Sequence, residues 1–204
     1  MTKVKICGIT NYEDAINAVN LGADYLGFNF YKHSSRHIEK SKAKGIIEKL
    51  PKGVKKVGIF VNEEIGKIKG ITSFCKLDIV QLSGDENPDF IPNLRKELKK
   101  KIIKSIRIKN KNDINISKNY NVDYIMLDSF KEGFYGGTEK TLSLTFIKGI
   151  SKKNLFLAGG LNASNVKLAI QEIHPHAVDV CSGIEAYAGK KDYGKMKKFI
   201  EAVK

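Results

Sequence analysis

The feature that most constrains this chain is an alternation. Eight strand-like runs recur along it: Val4–Cys7, Tyr25–Phe30, Lys56–Val61, Asp78–Leu82, Lys101–Ile108, Tyr124–Leu127, Leu155–Ala158 and Ala177–Cys181. Each is followed by a turn and a helical or helix-like stretch. Tyr25–Phe30 is nearly all apolar, as a parallel strand buried on both faces is. Strands that alternate with helices make right-handed crossovers and a parallel sheet. Eight units favour closure into a (β/α)8 TIM barrel, an α/β fold, over an open doubly wound sheet. The 204 residues shared among eight units leave about 25 each. Typical barrels have about 250 residues, so short loops and short helices are expected. No linker, low-complexity segment or second repeat divides the chain, and a single barrel domain over residues 1–204 is expected.

Helix signals fall between the runs. Thr10 with Glu13 reads as a capping box ahead of Tyr12, Ile16 and Val19, and Gly22 ends that helix. A Lys-rich helix is expected from Ser41 to Leu50. Asn62 is placed to cap the next helix, with Glu63 and Glu64 in its first turn. Asn87 to Lys100 reads as a helix interrupted early by Pro92. Asn112–Asn119 and Ser143–Ile150 are weakly marked. Asn162 and Asp192 are expected to cap the last two helices, whose apolar stripes are Val166, Ala169, Ile170, Ile173 and Met196, Phe199, Ile200, Val203.

Composition excludes several classes. The formal charge is +14, but the lysines are spread along the chain and no basic block is interleaved with aromatics, so nucleic acid is not the expected partner. The charge suits a polyanionic small substrate. No apolar run is long enough to span a membrane. The start, Met1 to Cys7, has no signal-peptide pattern, so the cytoplasm is the expected location. Cys7, Cys75 and Cys181 are too scattered for a disulfide framework or a zinc site, and His33, His37, His174 and His176 do not join them at ligand spacing. No metal and no cofactor is expected. Cys75 and Cys181 read as core. His174 and His176 flank Pro175 at a helix C-terminus, where positive charge is favoured.

In such a barrel the catalytic groups sit at the carboxyl ends of the strands. The polar or reactive candidates there are Cys7, Asn29, Asn62, Gln81, Ser83, Arg107, Asp128, Asp179 and Ser182. Cys7 reads two ways, as a small buried hydrophobe or as a nucleophile or base with thiolate character. Asp128 ends a buried strand, where a carboxylate is costly unless paired or at work. Arg36, on the second βα loop, is either solvated or a bidentate clamp for a carboxylate. Gly159-Gly160 and Ser182-Gly183 end the last two strands. Their small residues let backbone N–H groups approach an anion, at the place where such barrels hold phosphate. The loop Gly136–Thr141 lacks the second glycine before its lysine that a Walker A loop needs.

Taken in order, these pieces resemble the phosphoribosylanthranilate isomerase family of tryptophan biosynthesis. The resemblance is carried by Lys5-Ile6-Cys7-Gly8-Ile9-Thr10, Gly22 to Phe28, Ser34 to Ile38, Val57 to Asn62, Val80-Gln81-Leu82, Leu127-Asp128-Ser129, Gly136-Gly137-Thr138, Ala158-Gly159-Gly160-Leu161 and Asp179 to Glu185. It covers essentially the whole chain. The chain departs from the family pattern at Ser35, Ser83, Glu139 and Cys181, where the family usually has Pro, His, Gly and Ser, and near Leu142-Ser143.

The resemblance implies a cofactor-free Amadori rearrangement of a phosphoribosyl-anthranilate aminoaldose to the aminoketose. It implies Asp128 as general acid, Cys7 as general base, Arg36 on the anthranilate carboxylate and Asp179 near the substrate amine. Phosphate falls to Gly159, Gly160, Ser182 and Gly183. The partner is then a small phosphosugar, and the protein a monomer or homodimer. Two rivals remain at this point: another sugar-phosphate isomerase or lyase on the same barrel, and a basic binding protein without catalysis.

Overall fold

The computed structural model describes residues 1–108, 115–128 and 154–204. Its strands are β1 (Lys3–Ile6), β2 (Tyr25–Asn29), β3 (Lys55–Phe60), β4 (Ile79–Leu82), β5 (Lys101–Arg107), β6 (Tyr124–Asp128), β7 (Leu155–Ala158) and β8 (Ala177–Val180). They form a closed parallel barrel in sequence order, with β1 pairing both β2 and β8. The expected runs and the observed strands agree within one residue at either end. The helices are α1 (Tyr12–Leu21), α2 (Lys40–Ile47), α3 (Ile65–Phe74), α4 (Phe90–Glu97), α5 (Val166–Ile173) and α6 (Tyr193–Val203). Residues 115–117 are helical. The rest of the expected Asn112–Asn119 helix, apart from its last residues, the Gly133–Thr141 loop and the Ser143–Ile150 helix lie outside the described residues.

Burial separates two apolar sets by strand parity. Val4, Ile6, Leu26, Phe28, Val80, Leu82, Ile102 and Ile106 belong to the layer between barrel and helices. Tyr25, Val57, Ile79, Ile103, Met126, Phe156 and Ala177 fill the barrel's interior. The Tyr25 and Tyr124 rings each meet Phe156 edge-on at 5.3 Å. His176 closes this end, its Nε2 3.0 Å from the Tyr25 hydroxyl. Burial lowers the His176 pKa, helped by the charges of Lys3 and Lys101, so this histidine is neutral where a positive one was expected. His174 is the left-handed C-cap of α5 (φ 50°).

Several caps differ from the sequence expectation. Asn11 caps α1, its Oδ1 accepting from the Asp14 N–H at 2.8 Å. Thr10, taken for the cap, instead donates its hydroxyl to the Gly189 carbonyl. Asn62 does not cap α3. It turns the chain with φ 49°, and its Oδ1 accepts from the Asp85 N–H at 2.6 Å, while α3 begins after Glu64. Asn162 is also displaced. Asn165 stands at the N-cap of α5, and the Asn162 Oδ1 closes an Asx turn on the Ser164 N–H at 2.8 Å. The α4 helix is shorter than Asn87–Lys100, with Pro92 in its first turn, where a missing N–H costs little. Asp192 does cap α6, accepting from the Lys195 N–H at 2.8 Å.

One element carried no sequence signal. After a 3-10 turn at Ser182–Ile184, β9 (Glu185–Tyr187) pairs antiparallel with β10 (Lys190–Lys191). Asp14 on α1 docks this hairpin. It accepts from the Lys191 N–H at 2.8 Å and from Lys190 Nζ at 2.8 Å.

Candidate active site

Strand parity decides what faces the open end of the barrel. Tyr25, Ile79, Ile103, Met126 and Ala177 point inward. Residues two and four places further along those strands therefore point inward too. On β2 to β6 this gives Asn29, Gln81, Ser83, Arg107 and Asp128, and on β8 Asp179 and Cys181. Together with Cys7 these line one cavity of about 910 Å³. Cys7 and Asp128, the expected base and acid, share this space with Asp179. Arg36, Gly159, Gly160, Ser182 and Gly183 are not among its described lining.

Cys7 follows β1. Its N–H donates to the Val180 carbonyl at 2.9 Å, which continues the β1–β8 ladder. Its pKa is lowered to about 7. The first cause is a hydrogen bond from Cys181; burial opposes it, and the Lys5 charge adds to it. Cys181 is therefore not the inert core residue expected. It is half-buried in the same lining, and its own pKa is pushed far up, first by the bond it donates to Cys7. Two glycines make room for the sulfurs. A Cβ on Gly27 would stand 3.0 Å from Cys7 Sγ. A Cβ on Gly8 (φ 74°) would stand 3.0 Å from Cys181 Sγ and 2.9 Å from Arg36 Cδ.

Lys5 lies two residues before Cys7 on the same inward face. It is fully buried, and its Nζ donates to Asp179 Oδ1 at 2.7 Å. Asp179 and the Cys7 sulfur together raise the Lys5 pKa against burial, which lowers it, so the ammonium persists. Asp128 is exposed at the end of β6. The protein around its carboxyl nevertheless raises its pKa; the Asp179 charge adds, and Arg107 and Lys5 oppose. An acid so placed holds its proton to higher pH than a solvated aspartate.

Arg36 is fixed by a carboxylate that the sequence did not single out as functional. Glu185, at the start of β9, accepts from Arg36 Nε at 2.8 Å and from Nη2 at 2.5 Å. This bidentate pairing occupies one edge of the guanidinium. Nη1 contacts Ser35 Oγ at 3.3 Å, and the Nη1–Nη2 edge retains donors for a second carboxylate. Glu185 also accepts from Lys191 Nζ at 3.0 Å and from the Gly189 N–H at 3.2 Å. A Cβ on Gly183 would lie 2.1 Å from the Leu161 carbonyl oxygen, so the turns after β7 and β8 abut and only glycine fits between them. Gly159 and Gly160 have φ of 90° and 66°. Lys5, Cys181 and Glu185 were not among the sequence candidates: Lys5 lies within β1 and Glu185 beyond the turn after β8, away from strand ends, and Cys181, which ends the eighth run, read as core. The signal for the first two was the two-residue spacing Lys5–Cys7 and Asp179–Cys181.

Among the described residues, no group of three or more His, Cys, Asp or Glu is placed to hold a metal ion. No described helix is long and apolar enough to cross a membrane.

With this geometry in hand, known proteins give a consistent comparison. The sequence pattern of N-(5'phosphoribosyl)anthranilate (PRA) isomerase matches residues 4–202. N-(5'-phosphoribosyl)anthranilate isomerase of Pelobacter propionicus is 42% identical over 205 residues, covering 100% of this chain and 96% of that one. A crystal structure of phosphoribosyl anthranilate isomerase with reduced 1-(o-carboxyphenylamino)-1-deoxyribulose 5-phosphate has a TM-score of 0.89 at 40% identity. That match covers 99% of this chain and 98% of that one. A structure of monomers generated from the dimeric enzyme of Thermotoga maritima gives a TM-score of 0.87 at 40% identity, with 99% and 98% covered.

Proposed function

The chain belongs to the N-(5'-phosphoribosyl)anthranilate isomerase family, and from that premise we propose how its own residues carry out the aldose-to-ketose rearrangement of tryptophan biosynthesis. The substrate is a small anionic molecule with a carboxylate at one end and a phosphate at the other. In this proposal Arg36 takes the anthranilate carboxylate on its free edge while Glu185 holds the other edge still. The phosphate rests on backbone N–H groups of Gly159, Gly160, Ser182 and Gly183, where the two glycine-bearing turns meet.

Asp128, protonated, gives its proton to the furanose ring oxygen, and the ring opens to a Schiff base. The Cys7 thiolate then removes the proton on sugar C2. The enolamine that forms tautomerises to the ketone. Asp179, with Oδ1 on Lys5, offers its other oxygen to the substrate amine. No step in this sequence draws on a cofactor. The observation that carries it is that Cys7 and Asp128, distant in sequence, line one cavity. One has a lowered pKa and the other a raised one, the right senses for a base and an acid.

The test is conversion of freshly made phosphoribosylanthranilate, followed by loss of its fluorescence. Cys7→Ala and Asp128→Ala should each lower kcat by about 10²-fold or more, since a positioned acid or base is worth about 10²–10⁴-fold, with the far-ultraviolet dichroism unchanged. Near-normal turnover in either variant removes that residue from the mechanism. The chain is proposed to act as a monomer or a homodimer, which sedimentation decides, and in the cytoplasm, which fractionation decides.

A further inference from the structure

We propose that Cys181 is a positioning residue for the base: its S–H donates to the Cys7 sulfur and holds that sulfur as the proton acceptor. This deepens the proposed reaction and rests on Cys7 being its base. The first support is register. Ile6 pairs with Val180 and the Cys7 N–H continues the ladder, so Cys7 and Cys181 stand level on adjacent parallel strands, about 4.8 Å apart. Both line the cavity. Directly below them, on the same inward face, Lys5 and Asp179 form the next pair in register.

The second support is where the Cys181 proton can go. The acceptor recorded for the Cys181 S–H is Glu185 Oε1, at a long 3.9 Å. That oxygen already accepts from Arg36 Nε at 2.8 Å, Lys191 Nζ at 3.0 Å and the Gly189 N–H at 3.2 Å, so it has little capacity left. Lys191 Nζ, fully buried, donates to Cys181 Sγ from 3.7 Å. The Cys181 sulfur thus accepts on one side from an ammonium and turns its own hydrogen toward Cys7. The relay runs Lys191, Cys181, Cys7. The two thiols titrate as a pair, with one proton leaving readily and the other strongly retained. The bond to Cys7 and burial disfavour a negative charge on Cys181, against the pull of Lys191 and Arg36, which leaves the thiolate on Cys7. When Cys7 takes up the substrate proton, the Cys181 hydrogen bond weakens, and it re-forms as the proton leaves.

The sign follows directly. Losing a donor to the thiolate raises the Cys7 pKa above about 7, so the thiolate fraction at a given pH below the new value falls. The test uses purified protein kept reduced, with the rate of Cys7 alkylation by iodoacetamide followed against pH and the modified residue located by mass spectrometry. In Cys181→Ala the alkylation midpoint should rise by about one pH unit, with roughly tenfold less reactive thiolate below it. Cys181→Ser, which keeps a donor of similar size, should recover most of that shift. The acidic limb of kcat/KM should move with the midpoint in each variant, while KM for the substrate stays within about threefold.

An unchanged midpoint in Cys181→Ala overturns the proposal, as does an equal shift in the serine and alanine variants. So does a thiolate near neutral pH that persists in Cys7→Ala, since Cys181 would then carry the charge. Alkylation reads the thiol pair without turnover. A shifted midpoint in a protein that fails to isomerise the substrate would defeat the proposed function and leave the pairing intact.

Discussion

Among the described residues three lysine–carboxylate pairs are buried, Lys5–Asp179, Lys104–Glu86 and Lys191–Glu185, and the first two do different things. Lys5–Asp179 joins β1 to β8, and Lys104–Glu86 joins β5 to the loop after β4. Each has an N–O distance of 2.7 Å, and the two lysines are 0% and 2% exposed. Desolvating either pair costs free energy that the contact only partly returns. The Lys104 pair is saturated. Glu86 also accepts from the Asn62 N–H at 2.9 Å and the Gly84 N–H at 3.1 Å. Lys104 also donates to the Gly84 carbonyl at 2.6 Å, and the Tyr120 hydroxyl donates to the Glu86 carbonyl at 2.8 Å. All that capacity is spent on tying the loops after β3 and β4 to β5 and to the segment that leads into β6. Lys104 leaves β5 with parity opposite to Ile103, and its ammonium reaches the rim of the cavity beside Gly84 and Tyr120. The Lys5 pair faces inward beside a thiol, and its charge acts on Cys7. Similar pairs thus organise a loop or tune a reactive group according to parity and to what capacity remains.

That contrast can be broken by exchanging charge for shape. Lys5→Met should show the largest combined effect. It strands the Asp179 carboxylate, for which a loss of about 3–5 kcal/mol is expected, and it removes a cation from Cys7. In denaturant titration the midpoint should fall, and kcat/KM per folded molecule should drop at least about tenfold, most steeply at low pH as the thiolate fraction falls. Lys104→Met should lose similar stability, about 3–5 kcal/mol, yet leave kcat/KM per folded molecule within about threefold. If its activity falls as far as that of Lys5→Met, the two pairs are not distinct in role.

A smaller effect sharpens the same comparison at Arg36. Arg36→Lys keeps charge near Glu185 but cannot serve two carboxylates with two edges. KM for the anthranilate substrate should rise about tenfold, near 1.4 kcal/mol, with kcat changed less; an unchanged KM would separate Arg36 from the substrate carboxylate. The smallest effect belongs to an exposed pair, Lys69–Glu97, at 2.8 Å. Solvent screens such contacts, so Glu97→Gln should leave both the unfolding midpoint and turnover where they were. A measurable fall in either would show that exposure does not separate surface pairs from buried ones here.

Much of the barrel was legible because its information is local. Apolar runs such as Leu155–Ala158 and the cap at Asp192 are written in neighbouring residues. That Cys7 and Asp128 would face one cavity was legible for a related reason, since each ends a strand and strand ends share one face; their roles as base and acid came from the family resemblance. The misplaced caps mark the limit. Thr10 and Glu13 fit the capping pattern, but a hydroxyl can serve only one good acceptor at a time, and the Gly189 carbonyl took it. Asn62 and Asn162 are good cap residues that a turn claimed first. The hairpin at Glu185–Lys191 had no alternation to announce it, because its anchor is Asp14 on a helix 177 residues away in sequence.

By itself the sequence determined the order of strands and helices, the closure of eight units, and the placing of Cys7 and Asp128 at strand ends. Those follow from side-chain periodicity and backbone geometry, which act over a few residues. Tertiary structure alone decided the setting of the base. Barrel closure brings β8 against β1, so Cys181 meets Cys7, Asp179 meets Lys5, and Glu185 locks Arg36. Hydrogen bonds and charges act over a few ångströms of space whatever the distance along the chain, and only a closed fold fixes which groups come that near.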